Sequence, residues 1–283
     1  MQTTIVRNMD TIRQIFQEVK AFGEQESDLG QLVAYLDKVP NEFLSIAYES
    51  ASMVLAMKEL VEGKPLLNWT KFVKIYAQQH LSQAYVGLGW AVAQEEINLG
   101  ALLEQHSPFY CMRAADGAGY YDGIFRNRQT VRNLKKPGYV PEEALPAYYQ
   151  GLGRSLWYLT KGIPSHAKNL LLTFPRERHP DMWRGLGIAC AYVGGFDVPT
   201  LRTLLEEAGK DKRSLVAGGL LAIKSRFHAQ CTTESMELCA EVWGKKSVKE
   251  IHNLSLEMEN KVDQTYRNSY FEYLKQIENS LGL

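Results

Sequence analysis

No run of apolar residues in this chain approaches the roughly 20 that cross a bilayer, so a transmembrane segment is not expected. The opening residues, Met1-Gln-Thr-Thr-Ile-Val-Arg, lack the apolar core of a secretion signal. An excess of one charge is also missing: 32 Lys and Arg balance 32 Asp and Glu, so no global field draws the chain to nucleic acid or an anionic membrane. Cysteine is scarce. Cys111, Cys190, Cys231 and Cys239 lack CxxC spacing, which argues against a disulfide framework and fits reduced thiols in a cytoplasm. The histidines show no metal-ligand spacing, and no P-loop, HExxH, nucleophile elbow or GxGxxG in a βαβ context occurs. Neither a metal nor a cofactor is therefore expected. Val/Ile/Thr alternation bounded by hairpin turns is missing too, which leaves an all-α fold.

What the chain does have is a repeat. Gly151-Leu-Gly and Gly185-Leu-Gly are 34 residues apart, each preceded two residues upstream by an aromatic, Tyr149 and Trp183. Similar steps reach Gly117, Gly87 and Ser50 going back and Gly219 going forward. A period in this range marks stacked helical hairpins. The reading is one helical-repeat domain over 1–283: N-terminal helices in 1–40, about six hairpins in 41–230, and C-terminal capping helices in 231–283. Such hairpins form an α-solenoid or α/α superhelix, and the short period suits an open arc. Within this frame, residues 10–22 predict an amphipathic helix capped by Asp10, and 29–39 a second that stops at Pro40. Residues 126–141, with five basic residues and two prolines, predict a surface connector or a gate for an anionic ligand. Residues 233–243 predict one helix, and Ser247-Val-Lys-Glu250 a capping box opening the last.

Glycine inside a helix costs up to about 1 kcal/mol relative to alanine. Its recurrence predicts helices packed backbone to backbone, or a ligand lying against the backbone. Counting from Gly87, Gly117, Gly151, Gly185 and Gly219 (or Ser50) as zero, positions +3 and +5 are apolar in most copies and predict an interior face. Asp122 at +5 and Arg154 at +3 break that rule. They form either a buried ion pair that fixes register or part of a cavity with an acid and an anion clamp. Position −1 adds Asp116 beside Glu49, Gln150 and Arg184, and position −2 an aromatic row of Tyr48, Tyr85, Tyr149 and Trp183. That row is core packing or a ligand cage.

The ordered series Gly87-Leu-Gly-Trp-Ala-Val-Ala, Asp116-Gly-Ala-Gly-Tyr-Tyr-Asp-Gly-Ile-Phe, Gln150-Gly-Leu-Gly-Arg-Ser-Leu-Trp and Phe174-Pro through Tyr192-Val-Gly-Gly resembles a bacterial domain-of-unknown-function family described as enediyne biosynthesis proteins. The resemblance covers about residues 40–227. Where that family has Phe and His or Glu after its glycines, this chain has Tyr120, Tyr121 and Asp122. The resemblance implies a cytoplasmic role in specialised metabolism on a hydrophobic, polyene-like polyketide or isoprenoid substrate. Two readings follow. In the first, a cofactor-free cyclase or isomerase uses Asp122 or Asp116 as a buried general acid with Arg154. Tyr85, Trp90, Tyr120, Tyr121, Tyr149, Trp157 and Trp183 then bind the substrate and shield positive charge. In the second, a non-catalytic helical-repeat adaptor holds a synthase or carrier protein.

Overall fold

The computed structural model describes residues 2–266 and 268–282 and contains fifteen α-helices and no strand among them. In order these are α1 (Gln2–Gln25), α2 (Leu29–Leu36), α3 (Leu44–Val61), α4 (Leu67–Ile75), α5 (Leu81–Glu95), α6 (Leu99–Leu103), α7 (Pro108–Phe125), α8 (Leu145–Leu159), α9 (Pro164–Leu171), α10 (His179–Val193), α11 (Val198–Ala208), α12 (Lys212–His228), α13 (Glu234–Cys239), α14 (Val248–Asn260) and α15 (Ser269–Ser280). None is long and apolar enough to cross a membrane.

Local signals set several boundaries. Asp28 caps α2 by accepting from Gln31 N, and Ser247 and Glu250 form the expected capping box of α14. Pro164 and Pro199 lie in the first turns of α9 and α11, where a missing N–H is harmless. The helix expected from Asp10 starts earlier, because Ile5, Met9 and Ile12 continue its buried stripe upstream; Asp10 instead pairs with Arg13. The stretch 233–243 is not a single regular helix: α13 widens into a π-helical turn at Ala240–Gly244. Residues 126–141 hold a π-helical turn, Arg128–Arg132.

Helix α3, with Ser50 in the glycine's place, and the glycine-bearing helices α5, α7, α8, α10 and α12 pack against one another in that order. Each residue turns a helix by about 100°, so residues two apart face nearly opposite sides. That geometry explains the Gly-x-Gly. A Cβ on Gly87 would lie 2.1 Å from Glu49 O of α3, whereas one on Gly89 would lie 1.9 Å from Ala114 O of α7. The same alternation holds at Gly117 and Gly119, Gly151 and Gly153, and Gly185 and Gly187. The first glycine admits the preceding backbone and the second admits the next. In the last copy the register slips by one. Gly218, not Gly219, meets α10, 1.9 Å from Arg184 O, and Gly219 faces the Trp243 ring. Lys224 therefore leaves the +5 column, and Leu221 takes position +3.

The two ends of the series meet instead of staying apart. Arg226 Nη2 donates to Glu42 O at 2.8 Å, and Asn41 Nδ2 to Gln230 O at 2.6 Å. The six helices thus surround an interior. Helix α1 lies across one side of it, tied by Asn8 to Val193 O of α10 and by Phe16 O to Ser50 of α3. Of the C-terminal helices, α14 packs against α12, the last of the series. α15 crosses several glycine helices, with Tyr270 bonded to Gln150 of α8 and Glu278 to Arg184 of α10.

Candidate functional site

The inner face of each glycine helix follows from the same rotation. Positions −4, −1, +3 and +7 from the first glycine fall on one stripe, between the two glycine faces. Position +5 lies about 200° from +3 and points away from the interior. The inner stripe supplies Glu49 of α3, Trp90 of α5, Tyr120 of α7, Arg154 and Tyr158 of α8 and Tyr192 of α10. Together with Met9, Ile12 and Phe16 of α1 they enclose a cavity of about 160 Å³. Its walls are mostly apolar and aromatic. Phe125, 62% exposed, also borders it and marks its rim.

A charged cluster lies at the wall. Arg154 Nη1 donates to Asp116 Oδ2 at 2.8 Å, Nη2 is 4.0 Å from Glu49 Oε2, and the guanidinium lies 4.5 Å from the centre of the Tyr120 ring. All three ionisable groups are buried. Burial raises the pKa of Glu49 to about 7 and Asp116 adds to the rise, while Arg154 opposes it. Burial disfavours the charge on Arg154, yet Asp116 and Glu49 more than compensate and hold it protonated. Trp90 Nε1, Arg154 Nε and Asp116 Oδ1 are buried without a hydrogen-bond partner among the described residues. A carboxyl that titrates near neutrality beside a fixed cation, at an apolar wall, can give or take a proton.

The expected site residues divide. Arg154, Trp90 and Tyr120 line the cavity, and Asp116 stands behind Arg154. Asp122 does not meet Arg154. Its carboxylate accepts from Arg126 Nη1 at 3.0 Å, Tyr139 at 2.7 Å and Tyr148 at 2.8 Å. The reason is rotational: +5 belongs to the side opposite +3. The aromatic row at −2 is turned outward as well. Tyr85 packs on Trp69 and Tyr110, and Tyr149 on Phe174 and Arg178. Trp183 is fully buried in the same layer. Trp157 is buried against Gly162, and Tyr121 packs with Trp90 and Phe125 near the rim. The sequence names Glu49 only as a member of the polar row at −1, and it does not single out Tyr158 or Tyr192. The stripe −4, −1, +3, +7 finds them once +5 is dropped.

The basic segment after Phe125 is partly neutralised, with Arg126 on Asp122 and Glu96 and Lys136 on Glu142. Among the described residues no group of His, Cys, Asp and Glu is arranged to hold a metal ion. No curated protein and no solved structure matches this chain. A family model does match, over residues 1–281, and its description is "Protein of unknown function (DUF1702)". A chain matched over that length belongs to this family.

Proposed function

We propose that the chain is an enzyme of specialised metabolism that encloses part of a hydrophobic, unsaturated molecule between α1 and the inner stripe and moves a proton on it. The observation that carries this reading is Glu49, a carboxyl with a pKa near 7, beside Arg154 at an aromatic wall. In an isomerisation Glu49 gives its proton to one carbon of a double bond and recovers a proton from a neighbouring carbon. The substrate keeps its formula and nothing is oxidised. Arg154, held by Asp116, stabilises the carboxylate that forms when the proton leaves. The faces of Trp90 and Tyr120 shield positive charge on the carbon skeleton. In this reading Arg154 stabilises charge, Asp116 positions Arg154, and Glu49 takes the acid's role expected from sequence of Asp122 or Asp116.

Cavity size narrows the substrate. A dry cavity of roughly 150 Å³ accommodates benzene, so about 160 Å³ takes one ring or the end of a chain, entering past Phe125. We read the six hairpins as a closed α/α superhelix with this cavity at its centre, and a cytoplasmic place beside polyketide or isoprenoid synthases fits the motif resemblance. An adaptor for a synthase or carrier protein needs no titrating carboxyl at an internal wall. The test is incubation with polyene and isoprenoid chains in deuterated water, followed by mass spectrometry. An isomeric product that gains deuterium with the wild type and not with Glu49→Gln is expected. A bound chain that is returned unchanged and unlabelled would overturn the reading in favour of the adaptor.

A further inference from the structure

Arg154 borders a second space. On its other side lies a chamber of about 20 Å³, lined among others by Arg113, Asp116, Gln83, Tyr192 and Ser225. Among the described residues only Arg154 and Tyr192 also border the main cavity, so they form the partition between the two. A space of this volume holds one particle the size of a water or a halide.

Arg113 is the unusual member. It is 6% exposed, yet among the described residues it makes no ion pair and no hydrogen bond. Its one close partner is the Tyr270 ring, 4.8 Å from the guanidinium carbon. Burial works against its charge, with the fields of Tyr270, Tyr273, Asp116 and Glu259 holding it protonated. The other buried cations of the interior have partners: Lys224 pairs with Glu259, Arg184 pairs with Asp181 and Glu278, and Arg226, with no ion pair among the described residues, donates to the backbone carbonyls of Glu42, Tyr192 and Cys231. Around the chamber two guanidiniums face one carboxylate. Arg113 Nε, Arg154 Nε and Asp116 Oδ1 all lack hydrogen-bond partners among the described residues. A water molecule satisfies such atoms but leaves the charge, and an uncompensated buried charge is strongly unfavourable.

We infer that this chamber is a binding site for one small monoanion, a halide or a carboxylate group, held between Arg113 and Arg154. The Ser225 hydroxyl and the Gln83 side chain, already bonded to each other, line the site as further polar groups. Asp116, whose Oδ2 stays on Arg154, sets the limit of one negative charge. The volume excludes a diphosphate. Two sources share this chemistry: a free inorganic anion, or the head group of an acidic substrate whose tail lies in the main cavity. The second source rests on the function proposed above; the site itself does not.

The test is thermal unfolding of the full chain in increasing sodium bromide, with sodium methanesulfonate holding the ionic strength constant. Tm is expected to rise, on the order of 5 °C at one hundred times the dissociation constant, and Arg113→Met is expected to abolish the rise. Crystals grown in bromide should show an anomalous peak between Arg113 and Arg154, a readout that survives even if the variant does not fold. Displacement of bromide by decanoate and not by acetate assigns the anion to an acidic substrate, and equal displacement assigns it to a free ion. Either result upholds the site. A wild-type Tm indifferent to bromide, with only water in the chamber, would overturn it whatever Glu49 does.

Discussion

Arg154 of α8 reaches across to Asp116 of α7, 38 residues earlier, and donates to it at 2.8 Å on the inner face of both helices. The pair locks two neighbouring helices at the place where the cavity wall forms. It also fixes the guanidinium that faces Glu49. Removing one partner leaves the other charged and buried, so Arg154→Met should destabilise by about 3–5 kcal/mol. The double variant Arg154→Met/Asp116→Leu should recover much of that, because Trp90, Ile188 and Val86 already occupy equivalent positions in other copies. Urea unfolding of the single and double variants measures the difference.

Glu49 ties stability to pH in a direction opposite to that of most carboxylates. Its pKa rises from 4.5 unfolded to about 7 folded. Within that window the native state keeps a proton that the unfolded chain has released, so stability falls as pH rises. At 1.36 kcal/mol per unit the total is roughly 3 kcal/mol. His80 has the other slope: burial first, then His228, lowers its pKa from 6.5 to about 4. Its contribution is complete above 6.5 and is lost as pH falls. Glu49→Gln should remove only the first slope. Unfolding free energies at pH 8 should then favour the variant, and near pH 4.5 the two proteins should converge.

Gly153 and Gly138 make a contrasting pair. A Cβ at Gly153 would lie 2.1 Å from Met182 O, whereas one at Gly138 meets nothing within 4 Å. Gly153→Leu must part α8 from α10 and should cost about 1–3 kcal/mol or more. Gly138→Ala should change stability by no more than roughly 0.5 kcal/mol. Thermal melting of both separates close helix packing from a general intolerance of substitution.

Asp122 binds Arg126, Tyr139 and Tyr148 outside the cavity. Asp122→Asn should therefore lower stability by about 1.5–3 kcal/mol, the range for hydrogen bonds to a charged group. Turnover per folded molecule should stay near that of the wild type. A hundredfold loss of turnover with unchanged unfolding would return Asp122 to the chemistry.

The one-dimensional pattern determined the helices and the glycine register. Both are local or periodic properties: a cap, a proline at a first turn, or a glycine that recurs wherever a backbone must approach. The all-α class followed for the same reason. The inner stripe was legible in part, since Arg154, Trp90 and Tyr120 share position +3. It was misread at +5, because an apolar column shows burial without showing the side. Burial against the shorter helices, such as α4 and α9, and burial around the cavity look alike in sequence. The slip at Gly218 was hidden because two adjacent glycines fit the period equally well. Only the tertiary structure paired Arg154 with Asp116, placed Glu49 where burial raises its pKa, laid α1 across the opening and left Arg113 with no carboxylate partner among the described residues. Those outcomes depend on distances between residues far apart in the chain. No periodicity encodes such distances, because they are set by how six helices close around one interior.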